Sequence, residues 1–145
     1  MKRRKFIVFA LSLPLLLSAK EQARKISFEF AYNAFVGNTT VLKNAKIVAL
    51  NIPKEPPTGK SVPVEVSVDY PMKKDDYIES ITVLPTQNPV CRAVEFNLTP
   101  MNGRAYLACN IKLATSQKVV VLVRSSKGKI YEHAQEVHVA LSGCA

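Results

Sequence analysis

Three cysteines and two histidines are the side chains of this chain best suited to covalent or acid–base chemistry, and their positions set them apart. Cys144 sits in Ser142-Gly143-Cys144-Ala145, directly after what reads as the last strand of a β domain. A cysteine used for packing belongs in the interior, whereas the last residues of a domain are usually exposed and poorly ordered. The Cys144 thiol is therefore expected to be presented outward on a short flexible tail. Three is also an odd number of cysteines. In an oxidising compartment at least one thiol must stay free, bind a small molecule or pair with another chain.

The other two cysteines, Cys91 and Cys109, fall on strands joined by the Asn102-Gly103 connection and are the candidates for an internal disulfide. Their phases disagree. Ala105, Leu107, Cys109, Ile111 and Leu113 form an inward set, while Val94, Phe96 and Leu98 put Cys91 on the outward phase of its own strand. A bridge needs a bulge or an irregular entry after Pro89 to bring the two Cα atoms within about 7 Å. The other reading is a buried Cys109 acting as a small apolar residue and a Cys91 at a strand end.

His133 and His138 lie an odd number of residues apart, on opposite faces of one regular strand. That is poor geometry for shared work, and both read as surface or strand-edge residues. No glycine-rich phosphate loop, Cys-x-x-Cys, nucleophile elbow or paired histidine–carboxylate motif occurs. The chain is read as a non-enzyme with no catalytic residue, no metal site and no cofactor.

The compartment follows from the start of the chain. Lys2, Arg3, Arg4 and Lys5 form a basic region before the apolar run from Phe6 to Leu17, which is too short to span a bilayer as a helix, and Ser18-Ala19 follows. Residues 1–19 read as an export signal, and Arg3-Arg4-Lys5-Phe6-Ile7 looks like the twin-arginine kind. The expected mature protein is periplasmic, soluble and free of the membrane, with one domain over residues 20–141 and a tail over 142–145. Four of the cations behind the formal net charge of +9 belong to the signal, and the rest are scattered, as where Lys73-Lys74 meets Asp75-Asp76. A nucleic-acid partner is not expected.

The body that must position these thiols reads as short strands separated by turn chemistry. Lys20 to Val36 is expected to hold a short amphipathic helix, with Ile26, Phe30 and Ala34 on one stripe and Gly37-Asn38 as its stop. Strands are expected over Ala45–Leu50, Val62–Tyr70, Tyr77–Leu84, Val90–Leu98, Arg104–Leu113, Lys118–Arg124 and Lys129–Leu141. Val62, Val64, Val66 and Val68 alternate with polar residues, so one face of their strand is buried. Pro63 cannot donate to a ladder, so that strand either begins there or lies on an edge. Val119 to Val123 does not alternate, which points to a central strand covered on both faces. Asn102-Gly103 and Lys127-Gly128-Lys129 mark tight connections. The fold expected is all-β, an immunoglobulin-like antiparallel β-sandwich of about seven strands with a short N-terminal helix.

From Ile47 onward the sequence resembles the SoxY family, the thiosulfate-oxidation carrier proteins of sulfur-oxidising bacteria. The likeness is carried by Ile52-Pro53, Gly59-Lys60-Ser61-Val62-Pro63-Val64, Asn88-Pro89, Phe96-Asn97-Leu98-Thr99-Pro100 with Asn102-Gly103, Ile111-Lys112-Leu113-Ala114 and the Gly143-Cys144 end. The family tail usually reads Gly-Gly-Cys-Gly. Here Ser142 replaces the first glycine and Ala145 the glycine after the cysteine.

The resemblance implies that Cys144 is the covalent attachment point for the sulfur substrate, on a swinging arm formed by Ser142, Gly143, Cys144 and Ala145. It implies a heterodimer with a second β-sandwich protein, SoxZ. It also implies traffic among a c-type cytochrome enzyme that oxidatively joins thiosulfate to the thiol, a hydrolase that releases sulfate and a molybdenum enzyme that oxidises the remaining sulfane. An extended chain from Leu141 to Cys144 reaches about 10 Å. The Ala145 carboxylate beside the thiol disfavours the thiolate, which leaves activation to the partner enzyme. The competing class is a non-catalytic periplasmic binding sandwich whose Cys144 is incidental or tethers a dimer.

Overall fold

The computed structural model describes residues 26–140; the segment 1–19 read as an export signal, the ends of the expected 20–141 domain and the 142–145 tail lie outside the described residues. Helix α1 spans Phe28–Val36 and starts where the Ser27 side chain accepts the Phe30 backbone N–H at 3.2 Å. It stops at Gly37, whose φ of 57° is left-handed and whose N–H donates to the Asn33 carbonyl. With the cap at Ser27, the inward stripe is Ala31, Phe35 and Val36, with Phe28 and Tyr32 half-buried beside it. The stripe expected through Phe30 and Ala34 is therefore out of phase, and Phe30 is 67% exposed.

Among the described residues eight strands follow. They are β1 (Val41–Lys43), β2 (Val48–Asn51), β3 (Val62–Val68), β4 (Ile78–Pro85), β5 (Val94–Asn97), β6 (Ala105–Ile111), β7 (Gln117–Ser125) and β8 (Ile130–Val137). They form a five-stranded sheet in the order β1-β8-β7-β4-β5 and a three-stranded sheet in the order β2-β3-β6. Mostly β, in two sheets with one short helix, the architecture is the sandwich expected. Two features differ. The additional strand is β1, three residues long and too short to show a period, and it pairs with β8 in parallel rather than antiparallel.

The second difference concerns Asn102-Gly103. It does not close a hairpin, because β5 and β6 belong to different sheets and the short 3-10 turn Pro100–Asn102 carries the chain across between them. Lys127-Gly128-Lys129 does close one, joining antiparallel β7 and β8 with Gly128 at φ 75°. Pro63 sits at the start of β3, beyond the point opposite Glu65 where β2 ends, so β6 is its one ladder neighbour.

The core follows from which residues of each strand point inward. Val62, Val64 and Val66 of β3 meet Ile81 and Val83 of β4 and Val119, Val121 and Val123 of β7 between the sheets. Val120 and Leu122, on the other face of β7, join Leu84 and Ile130 beneath Ala31, Phe35 and Val36 of the helix. Strand β7 is thus buried on both sides, as its unbroken apolar run requires. Each fully buried Val, Leu or Ile there is worth roughly 1.5–3 kcal/mol.

A polar cluster sits where the β7–β8 turn meets the loop before β4. The Tyr70 hydroxyl donates to Asp76 Oδ1 at 2.6 Å, and Lys127 Nζ donates to Oδ2 at 3.0 Å. The Tyr70 bond, then Lys127, hold the Asp76 carboxyl below its ordinary 3.8, and the same Asp76 bond, with burial next, pushes the Tyr70 phenol up to about 12. A depressed carboxyl contributes stability above its ordinary value and loses it as pH falls through the folded value. A raised phenol contributes below its ordinary value and loses it as pH rises toward about 12. Tyr70→Phe is expected to lower stability near neutrality and to shallow both limbs of the stability–pH curve, read by urea unfolding at each pH. Limbs of unchanged steepness would show that this contact is not coupled to folding.

Candidate functional site

After Val137 the chain leaves the sheet but stays anchored. The His138 N–H donates to the Lys54 carbonyl at 2.7 Å and the Ala140 N–H to the Pro56 carbonyl at 3.1 Å. Between them the Val139 N–H donates to Ser116 Oγ at 2.9 Å. Three successive residues are therefore held, alternately by the loop before β3 and by the loop before β7, as in a strand. Residues 142–145, including Cys144, follow outside the described residues.

The β4–β5 loop braces this anchorage. Asn88, in the β4–β5 loop, donates through Nδ2 to the Lys112 carbonyl at 2.7 Å, while its Oδ1 accepts the Ala114 N–H at 3.0 Å and Gln117 Nε2 at 2.8 Å. Gln117 is only 3% exposed, and its Oε1 accepts the Gln87 N–H at 2.8 Å. The buried Gln117 amide and the half-buried Asn88 amide bond to each other and to backbone, which locks the two loops together. Gly59 closes the arrangement, its carbonyl accepting the Leu113 N–H at 2.8 Å. A Cβ on Gly59 would lie 2.0 Å from the Leu113 carbonyl oxygen, so the approach admits only glycine.

Thr58, Lys60, Pro89, Lys112, Leu113 and Val139 line the cleft these loops enclose, about 490 Å³ in volume. It opens beside Ala140, at the root of the tail. Lys60 and Lys112 are exposed on its rim, and neither forms an ion pair among the described residues. The cleft is therefore apolar at its wall and cationic at its mouth, a combination that suits an anion with an apolar part.

The remaining candidates fall elsewhere. Cys91 and Cys109 are free thiols, and the internal disulfide considered from the sequence is not formed. Cys109 lies half-buried on β6 of the three-stranded sheet, whereas Cys91 enters the five-stranded sheet ahead of β5. Contrary to its expected outward phase, Cys91 is 2% exposed; it precedes the regular strand, with its N–H on the Ile26 carbonyl at 3.0 Å and its Sγ donating to the Asn88 carbonyl at 3.0 Å. The phase also fails at Phe96, 40% exposed, because β5 is an edge strand. Burial pushes both thiols up from their ordinary pKa, so both stay protonated near neutrality.

His133 is half-buried on the face of β8 that carries Tyr131 and Val137 into the core, rather than at the surface, while His138 is exposed. Among the described residues no group of three or more His, Cys, Asp or Glu could hold a metal ion, and no helix is long and apolar enough to cross a membrane.

Sequence reasoning did not find the Asn88–Gln117 lock, the close approach at Gly59 or the pairing of Lys60 with Lys112. Each joins residues far apart in the chain. The signal present in the sequence is that Gly59-Lys60, Asn88-Pro89 and Lys112-Leu113-Ala114, three of the segments that carry the family resemblance, all line one cleft.

The comparisons fit this geometry. The family described as sulfur oxidation protein SoxY matches residues 32–144. The structure of the sulfur carrier protein SoxY from Chlorobium limicola f thiosulfatophilum is similar, with a TM-score of 0.66 and 21% identity over 79% of this chain and 97% of that one. The superoxide reductase (neelaredoxin) of Ignicoccus hospitalis aligns with a TM-score of 0.59 and 15% identity over 68% of this chain and 94% of that one. The superoxide reductase of Nanoarchaeum equitans aligns with a TM-score of 0.55 and 9% identity, over 68% and 100%. At these identities the structural likenesses show the fold. No curated protein matches the chain.

Gly59→Ala is expected to lower the unfolding free energy by about 2 kcal/mol or more, because backbone must give way. Asn88→Ala should cost about 1 kcal/mol by removing one partner of Gln117 Nε2, which keeps its bond to the Thr115 carbonyl, and those of the Lys112 carbonyl and the Ala114 N–H. Lys60→Ala, on the rim, should stay within about 0.5 kcal/mol. Urea titration of the three variants checks the order, and a neutral Asn88→Ala would remove the lock from the account.

Proposed function

The chain belongs to the SoxY family, and from that premise we propose that it is a covalent sulfur carrier holding thiosulfate-derived intermediates on Cys144. The observation that carries the reading is that the family match runs through residue 144 and so includes the Gly143-Cys144 motif. The environments of the other two thiols support it. Cys91 and Cys109 are kept protonated by burial, which leaves Cys144 as the thiol assigned to chemistry.

The anchorage supplies the mechanics. Backbone bonds hold the chain as far as Ala140, and Cys144 is the fourth residue beyond that point, a contour of at most about 13 Å. The scaffold stays outside a partner enzyme while the sulfur enters, and Gly143 lets the backbone turn. Loading forms an S–S bond between Cys144 Sγ and the sulfane of thiosulfate, and the two electrons and the thiol proton leave to a c-type cytochrome enzyme. Hydrolysis of the outer S–S bond releases sulfate and leaves one sulfur on the cysteine, which a molybdenum enzyme of the same pathway oxidises further. The last hydrolysis restores the thiol. The carrier itself catalyses none of these steps, works in the periplasm and pairs with a SoxZ-like β-sandwich protein.

The adducts with terminal sulfonate are anions, so Lys60 and Lys112 favour them at the cleft mouth by Coulomb attraction, and salt weakens this.

Protein recovered from thiosulfate-grown cells should carry an adduct of sulfane or thiosulfonate mass on the peptide containing Cys144, seen by intact-mass and peptide mass spectrometry. Cys144→Ser should abolish the adduct and thiosulfate-dependent growth while leaving thermal stability unchanged. With the native chain at neutral pH, iodoacetamide should label Cys144 at least about tenfold faster than Cys91 or Cys109. An unmodified Cys144 peptide with full growth of the Cys144→Ser strain would rule the carrier role out.

A further inference from the structure

Four strands lie at sheet edges, and three of them carry features that discourage association. β1 is three residues long and ends in Lys43; β2 is four residues long and runs into Pro53; β5 is four residues long, with Glu95 in it bonded to Arg92 at 3.1 Å. Short length, charge and proline are the usual protections of an edge. β6 has none of them. Its seven residues, Ala105 to Ile111, include no charge and no proline, and its register against β3 runs without a bulge.

Among the described residues the far side of β6 has no ladder partner. Its outward residues Tyr106, Ala108 and Asn110 are exposed, Tyr106 at 43%, and Cys109 lies half-buried along the same edge. A long, flat, uncharged edge is a template for another strand, which gains affinity from backbone hydrogen bonds.

The charges at its two ends say what kind of strand. Arg104 and Lys112 immediately flank the uncharged run, both exposed, and the Arg104 guanidinium lies 5.7 Å from the Tyr106 ring centroid. A second copy paired antiparallel so as to cover all seven residues would centre on Ala108 and set Arg104 against the other copy's Lys112 at both ends. Paired parallel, it would set like residue beside like. Either arrangement places cation against cation, which is unfavourable across a ladder.

We propose that β6 is the docking edge for an extended strand of a different β-sheet protein, one uncharged along about seven residues and bearing a carboxylate near each end. The edge is argued from β6 alone; only the identification of its occupant with the heterodimer partner rests on the carrier reading. Because Lys112 also lines the cleft, a strand docked on β6 stands beside the root of the tail and forms part of the surroundings that Cys144 can reach.

The test is amide hydrogen exchange on the full chain, alone and co-expressed with the SoxZ-type partner. Alternate amides within residues 105–111 should gain at least about tenfold protection in the complex. The Ala108→Lys/Asn110→Lys double variant and Arg104→Glu should each weaken the complex at least about tenfold while melting, as free chains, within a few degrees of the parent. The parent complex should also weaken with salt, and the Arg104→Glu complex less so.

Protection confined to β1, β2, β5 or α1, or no complex at all, overturns the assignment. So does a β6 already protected in the free chain, whether by a second copy, seen as a dimer in light scattering, or by residues outside 26–140. Sulfur loading of Cys144 is scored separately by mass, so a failed edge with a loaded cysteine leaves the carrier standing, and a protected edge with an unloaded cysteine leaves the edge standing.

Discussion

Burial of β7 on both faces is the constraint from which the rest of the molecule is built. Val119, Val121 and Val123 need the three-stranded sheet on one side; Val120 and Leu122 need the helix on the other. Without α1, the second set would face water, at roughly 1.5–3 kcal/mol for each large side chain. This explains why a sandwich carries a helix at all, and why that helix is held by contacts beyond the apolar ones. The Tyr32 hydroxyl donates to Glu132 at 2.7 Å, Arg124 donates to the Phe35 carbonyl, and its guanidinium lies 4.6 Å from the Phe35 ring centroid. Burial first, and then the Glu132 bond, push the Tyr32 phenol up to about 12, so it remains a donor at any ordinary pH.

That constraint passes to the candidate site through β8. The tight turn at Gly128 makes β8 the direct neighbour of the most buried strand, and the chain leaving β8 is the one that leads to the cysteine. Gln117, the first residue of β7, is also the inner member of the amide lock that braces the cleft. One strand therefore braces a loop that lines the cleft, through Gln117 and Asn88, and neighbours the strand from which the tail leaves. The bonds at His138, Val139 and Ala140 therefore tie the root of the tail to loops that the core holds in place.

How much of this could be read from the sequence depended on the range over which the relevant interactions act. The Val62–Val68 alternation and the unbroken Val119–Val123 run are local consequences of which faces are buried, and both appear as expected. A helix phase taken from Ile26 differs from the observed one because the helix starts only after the Ser27 cap, and one residue of offset rotates the stripe away from Ala31 and Phe35. Strand β1 lacked the length for any period. The turn chemistry at Asn102-Gly103 was real, but a turn says only that the chain reverses, not whether the next strand joins the same sheet. That single ambiguity sets Cys91 and Cys109 on neighbouring strands, whereas Cys109 lies in β6 of the three-stranded sheet and Cys91 precedes β5 of the five-stranded one. The cleft was invisible for the same reason. Its residues come from three loops and the segment after β8, which only the folded topology brings together.

A carrier makes opposite demands on its thiols and its surface, and the sandwich meets them in different places. A sulfur that is to be loaded must be accessible, while any other thiol within reach of an activated sulfur adduct could displace it and leave a dead-end disulfide. Exchange needs a thiolate, so burying Cys91 and holding Cys109 half-buried and protonated slows that side reaction without removing either cysteine. The edge at β6 raises the matching problem on the surface, since an unprotected strand that recruits a partner also invites self-association. Arg104 and Lys112 answer it by repelling a second copy while leaving the uncharged centre open to a strand of opposite charge at its ends. Selective reactivity and selective pairing thus rest on the same means: the unwanted reaction is made costly by burial or by charge, and the wanted one is left unhindered.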